Sequence, residues 1–132
     1  MKRILLDAHA ILRWTQKERG YQKVKSLLVA CREQSALGYM NQINLGEVYY
    51  KTIRAIGLEE AQKFLENFLR LPLSIILPDS ELIWKASEIK AEYAISYADC
   101  FAAATALRYE ATILSGDREF KKIESLVSVE WL

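Results

Sequence analysis

The sequence predicts an α/β fold, a three-layer α/β/α sandwich with a mostly parallel central sheet, built as a single domain over residues 1–132. Three observations carry this reading. Short continuous apolar runs such as Ile4-Leu5-Leu6 have the pattern of strands buried on both faces, as the strands of a parallel sheet are. Longer stretches with apolar residues at helical spacing separate them, the alternation expected of crossover connections. No repeat, linker or low-complexity segment interrupts the order, and 132 residues suffice for one hydrophobic core but not for two ordinary domains.

The first strand, Ile4 to Leu6, ends at Asp7. Ala10 to Glu18 follows as a helix, Gly20 breaks the pattern, and Tyr21 to Glu33 forms the next helix with Val24, Leu27 and Leu28 on one face. Ala36 to Met40 is a second strand, after which Asn41 caps the helix Gln42 to Ile56. Gly57 closes that helix, and Leu58 to Leu71 is a further amphipathic helix that Pro72 stops. Leu73 to Leu77 reads as the third strand, Pro78-Asp79 opens a helix reaching Tyr93, and Ser96 begins another that reaches Glu110. Strand Thr112 to Leu114, the turn Ser115-Gly116-Asp117, a short helical turn near Phe120 and strand Val127 to Trp131 complete the order.

Composition narrows the function classes. A hydrophobic content of 52% against 27% charged is rich in apolar residues, so a homodimer is expected, built on the surfaces of Tyr21 to Glu33 and Leu58 to Leu71. The net charge of +1 gives no global footprint for nucleic acid, and any phosphate recognition must be local. Cys31 and Cys100 form neither a disulfide framework nor a zinc motif, which fits a reducing compartment and makes cytoplasm the expected location. The positive start Met1-Lys2-Arg3 precedes an apolar stretch broken at Asp7 and His9, so it reads as neither a signal peptide nor a membrane span.

Four carboxylates, Asp7, Glu47, Asp99 and Asp117, sit where a strand gives way to a helix or just inside the helix that follows. In a parallel sheet those positions share one edge, where such folds bind ligands. Clustered acids there, without companion cysteines and with one histidine, suit a hard divalent cation. Each acid also has a duller explanation. Asp7 is a good N-cap, Glu47 is placed to pair with Lys51 for roughly 0.3–0.5 kcal/mol, Ser96-x-x-Asp99 fits a capping box, and Asp117 beside Gly116 fits a β-turn. Asp99 is the most pointed of the four: its helix is apolar nearly all round, with Ala102, Ala103 and Ala106 on the Asp99 face, and an unpaired buried charge is costly. Ser115 is placed to donate to a neighbouring acid, and His9 to orient a carboxylate or touch a phosphate. No nucleophile triad, Gly-rich phosphate loop or GxSxG motif is present.

Four blocks, ILLDAHAILRW, NLGEVYY, SYADCFAAATAL and TILSGDREF, occur in this order across the chain. With them the sequence resembles the PIN-domain nucleases, and specifically the small single-domain VapC-type toxins, over essentially its whole length. The resemblance implies a PIN-like fold in which Asp7, Glu47, Asp99 and Asp117 chelate one or two Mg²⁺ or Mn²⁺ ions and RNA phosphodiester bonds are hydrolysed. Around those acids, Ser115, His9 and Glu119 read as auxiliary residues and Arg118 as a substrate contact, while Lys121 and Lys122 read first as a solvated surface run and second as further local phosphate contacts. It also implies a cognate antitoxin that wraps the toxin and reaches toward the acids, the pair repressing its own operon. Departures fall at auxiliary positions: Ala8, His9, Ser115 and Glu119 stand where Thr, a small hydroxyl or amide residue, Thr and Asp are common. Two other readings compete. A Mg²⁺-dependent phosphoryl-transfer domain calls for D-x-D or adjacent acids after the first strand, where this chain has Asp7-Ala8-His9. A non-catalytic PIN-like binding module has no reason to retain all four acids.

Overall fold

Apolar runs and amphipathic stretches alternate in the computed structural model, which describes residues 1–132, as β1 (Lys2–Leu6), α1 (Ala8–Thr15), α2 (Tyr21–Arg32), β2 (Ala36–Asn41), α3 (Gln42–Ile56), α4 (Leu58–Phe68), β3 (Ser74–Ile76), α5 (Ser80–Glu92), α6 (Tyr97–Tyr109), β4 (Thr112–Ser115), a 3₁₀ turn (Arg118–Ile123) and β5 (Val129–Trp131). The five strands form one sheet in the order β3-β2-β1-β4-β5. Every pairing is parallel, so the sheet is wholly rather than mostly parallel. The chain starts in the centre with β1, builds outward through β2 and β3, then crosses back to lay β4 and β5 on the other side. The order reverses between β1 and β4, and the crevice at such a reversal is where open α/β sheets place their ligands.

Side-chain alternation along β1 divides the core. Ile4 and Leu6 point into a cluster with Ile11, Val24, Leu28, Met40 and Val48, while Leu5 points the other way, toward Leu82, Ile89, Phe101, Ile113 and Phe120. Helices α1 to α4 thus supply most of one outer layer, and α5, α6 and the 3₁₀ turn supply the other. Each fully buried Leu, Ile or Phe contributes about 1.5–3 kcal/mol. The α6 segment from Asp99 to Ala106 is buried throughout, as its nearly unbroken apolar pattern requires. Its alanines keep α6 slim and close to the sheet.

Element boundaries differ from the sequence reading where local chemistry intervenes. Helix α1 starts at Ala8 because Asp7 is already the cap, and it ends at Thr15, ahead of Lys17 with a left-handed φ of 52°. Edge strands β3 and β5 are shorter than expected, with one neighbour each to pair with. Gly57, at φ 88°, joins α3 to α4 in a backbone conformation that other residues rarely adopt. No helix is long and apolar enough to cross a membrane.

Candidate metal centre

Strand register delivers the first two site residues. Leu6 of β1 lies opposite Leu114 of β4, so Asp7 and Ser115 emerge side by side at the carboxyl edge of the sheet. The backbone of Asp7 is still extended, with φ −92° and ψ 178°. Alternation therefore persists, and Asp7 and Ser115 share the face of Leu5 and Ile113, beneath α6. That is the layer carrying Asp99 in its first turn. Ser96 caps α6 by accepting the Asp99 N–H on Oγ at 3.2 Å. Only this half of the predicted capping box forms, and the Asp99 carboxylate is left for the cluster.

Hydrogen bonds lock the group. The buried Ser115 hydroxyl donates to Asp7 Oδ2 at 2.6 Å and accepts from the Asp117 N–H at 2.9 Å, so one oxygen links two acids. Asp7 Oδ1 accepts the Ala10 N–H at 2.8 Å, making Asp7 both cap and cluster member. Asp117 Oδ1 accepts the Glu119 N–H at 3.0 Å, starting the 3₁₀ turn. One carboxylate oxygen from each of Asp7, Asp99 and Asp117 lies within 4.8 Å of the others.

The electrostatics of this group are unfavourable in isolation. Burial pushes the Asp7 carboxyl up to about 7, against the hydrogen bonds from Ser115 and Ala10, and the charges of Asp117 and Glu47 add to the rise. Asp99 is likewise pushed up to about 7, first by burial and then by Asp117 and Asp7. None of the three aspartates pairs with a lysine, arginine or histidine. Three convergent oxygens with no counter-charge supplied by the chain are the donor set of a hard divalent cation, so the residues present fit Mg²⁺ or a similar ion.

Glu47 stands at the margin of this group. It is half-buried on α3 and its Oε2 takes Lys51 at 3.1 Å, the pair anticipated from their spacing, although its charge still acts on Asp7 and Asp99. One turn earlier on the same face, buried Asn44 donates through Nδ2 to the Ala98 carbonyl at 3.0 Å and ties the start of α3 to the start of α6, while its Oδ1 has no partner. Asn44 was missed in the sequence, where its position three residues before Glu47 was the available signal. A second tie, Asn41 Nδ2 to Thr105 Oγ1 at 3.0 Å, fastens the end of β2 to α6 and has no sequence signature.

The remaining predicted residues take separate places. His9 packs on the 115–117 turn, with its Nδ1 unpartnered. A Cβ at Gly116 would stand 2.9 Å from His9 Cε1, so any larger residue there must displace the imidazole. Burial and then Arg13 hold the His9 pKa below its ordinary value, leaving the ring neutral at pH 7. The Glu119 carboxylate is taken by Lys122 at 3.0 Å, and Lys122 also donates to the Ala94 carbonyl, which occupies that lysine away from any phosphate. Arg118 is exposed and pairs with no acid.

The PIN domain family model matches residues 4–126. The chain belongs to the PIN domain family. No curated protein matches its sequence. Among solved structures, this PIN domain is similar to VapBC2 from Rickettsia felis bound to a promoter DNA fragment, at TM-score 0.76 and 19% identity, covering 98% of both chains. VapC20 of Mycobacterium tuberculosis, a Sarcin-Ricin loop cleaving toxin, aligns at TM-score 0.73 and 16% identity over 96% of this chain and 98% of that one. A toxin–antitoxin complex from Klebsiella pneumoniae aligns at 0.69 and 14% over 96% and 95%. At such identities the likeness is one of fold, and the PIN domain here has the sheet order and carboxyl-edge site already described.

Proposed function

We propose that this PIN domain is an endoribonuclease dependent on Mg²⁺ or Mn²⁺ and the toxin of a toxin–antitoxin pair, working as a homodimer in the cytoplasm. The observation that carries the reading is the trio Asp7, Asp99 and Asp117, whose carboxylate oxygens converge within 4.8 Å at the sheet's switch point with no cationic partner. The family match and the toxins among its structural relatives support the reaction class and the antitoxin.

Asp7, Asp99 and Asp117 would hold the cation, which when bound supplies a Lewis acid that activates water and offsets charge on a phosphodiester. Ser115 fixes the Asp7 carboxylate through its hydroxyl and, through the Asp117 N–H, sets the distance between the strand end and the 3₁₀ turn. Asn44 holds the first turn of α6, and with it Asp99, against α3. Glu47 adds negative charge at the margin and orients water on that side, once Lys51 is drawn off or shared. His9, Glu119 and Arg118 are auxiliary: neutral His9 shapes the turn before Asp117, Glu119 offers its backbone N–H to Asp117, and Arg118 meets substrate phosphate.

The test is cleavage of single-stranded RNA by the full chain with Mg²⁺, with Mn²⁺ and with excess EDTA. Cleavage that needs either metal and disappears in EDTA is expected. Undiminished cleavage in EDTA would remove the metal mechanism, and binding without any cleavage across varied RNAs would favour the non-catalytic module.

A further inference from the structure

Beside the acid cluster runs a cleft of about 370 Å³ lined by Arg13, Arg19, Arg118, Lys121, Glu124 and Trp131. Four cations face one acid there, in a chain whose net charge is only +1. None of the four makes an ion pair, although Glu124 lines the same cleft. Unpaired like charges gathered from three separate segments repel one another, and a folded chain that holds them together does so against that cost.

The cleft and the acids share a wall. Gly116, between Ser115 and Asp117, lines the cleft, and a Cβ on it would lie 3.1 Å from Arg13 Nη2. Arg13 is held in this position by a hydrogen bond from Nη1 to the Arg19 carbonyl at 2.5 Å. The far wall is also fixed. Lys23 Nζ donates to the Trp131 carbonyl at 3.2 Å, and the Leu132 N–H donates to the Ser115 carbonyl at 3.1 Å, which anchors the end of β5 to the strand end that bears Ser115. Lys121 Nζ lies 5.8 Å over the Trp131 ring, so a flat aromatic surface stands among the cations.

We propose that this cleft is the track for a single-stranded RNA flank, in which Arg13, Arg19, Arg118 and Lys121 bind consecutive phosphates leading away from the acid cluster and Trp131 offers its ring to an unpaired base. The proposal rests on the nuclease reading for the direction of the strand but not for the binding itself. Cations along a groove beside an aromatic side chain are the combination that recognises single strands, because every base has a face to stack while a duplex hides it. Arg13 and Arg19 come from the α1 end and the loop after it, far in sequence from Arg118. Only the folded chain makes them one surface.

The test measures binding apart from cleavage. Anisotropy of a labelled twelve-nucleotide oligouridine with the full chain in EDTA, across a salt series, should give salt-dependent binding. The double variant Arg19→Gln/Lys121→Gln, both exposed positions, should bind about tenfold more weakly near physiological salt, with the slope of log K against log salt reduced by about 1.4, near 0.7 for each cation lost. The control Lys25→Gln/Lys63→Gln should match wild type. Equal loss in both doubles, or no loss in the first, overturns the cleft as the track. A duplex of equal length binding as tightly overturns the single-strand assignment, and a polyglutamate peptide of equal charge binding more tightly than the RNA assigns the cleft to an acidic protein segment instead. Cleavage of RNA by wild type in metal, scored separately, reports on the nuclease reading: cleavage with no cleft effect sinks only the track, and a cleft effect with no cleavage sinks only the nuclease.

Discussion

Asp99→Asn separates a ligand from a structural anchor. The Asp99 carboxyl is raised from 3.8 to about 7, with burial first among the causes and Asp117 and Asp7 next. At about 1.4 kcal/mol for each tenfold change in acidity, ionised Asp99 destabilises the metal-free fold by up to about 4 kcal/mol above pH 7. Asn is close in size, carries no charge, and still loses about 1–3 kcal/mol when its amide is buried without full partners. The expected result is a gain of about 1–3 kcal/mol in metal-free stability at pH 8 and none at pH 5, where wild-type Asp99 is protonated. Urea unfolding in EDTA at the two pH values measures it, and RNA cleavage by the same variant should collapse because a neutral amide is a poor ligand for Mg²⁺. The α6 cap is untouched, since Ser96 supplies it. A loss of more than about 2 kcal/mol at both pH values would make Asp99 an anchor of α6 and refute the repulsion argument. Retained cleavage would remove it from the metal site.

Both Asp7 and Asp99 have folded pKa values above their ordinary 3.8, so the stability they favour is complete below about pH 4 and is lost as pH rises toward 7. Metal-free protein should therefore melt at a lower temperature at pH 8 than at pH 5, with Mg²⁺ or Mn²⁺ restoring stability at pH 8; His9 acts in the opposite sense, but it is one part-exposed ring against two buried acids. A melting temperature that climbs steadily from pH 5 to pH 8 in EDTA would contradict this. Gly116→Ala places a Cβ 2.9 Å from His9 and 3.1 Å from Arg13 without a backbone penalty, so cleavage should fall about tenfold while urea unfolding moves by less than about 1 kcal/mol; unchanged cleavage would show that the turn tolerates displacement of both side chains. The dimer is checked by light scattering at tens of micromolar in order of magnitude, and Val29, Leu58 and Leu69, exposed on α2, at the start of α4 and just past its end, are the residues whose replacement by Lys should dissociate it. A monomer under those conditions would remove the proposed homodimer.

Local sequence was enough for the elements and for picking out three acids that the fold gathers. Continuous apolar runs belong to strands buried on both faces and 3.6-residue spacing belongs to helices, so the alternation that dictates a parallel sheet is written in short windows. Asp7, Asp99 and Asp117 were visible because each directly follows, or closely follows, a recognisable strand or helix start. What the windows do not contain is register and reach. That Asp7 and Ser115 are neighbours follows from Leu6 pairing with Leu114, across more than a hundred residues. That Glu47 stands beside the trio rather than within it depends on how Asn44 docks α3 against α6. The basic cleft joins Arg13, Arg19 and Lys121 only after β5 has closed the sheet beside β4. Chemistry at one position is carried by a side chain and can be read singly, whereas a distance between side chains is fixed by the packing of whole layers, and that packing is decided by the burial of the entire core at once.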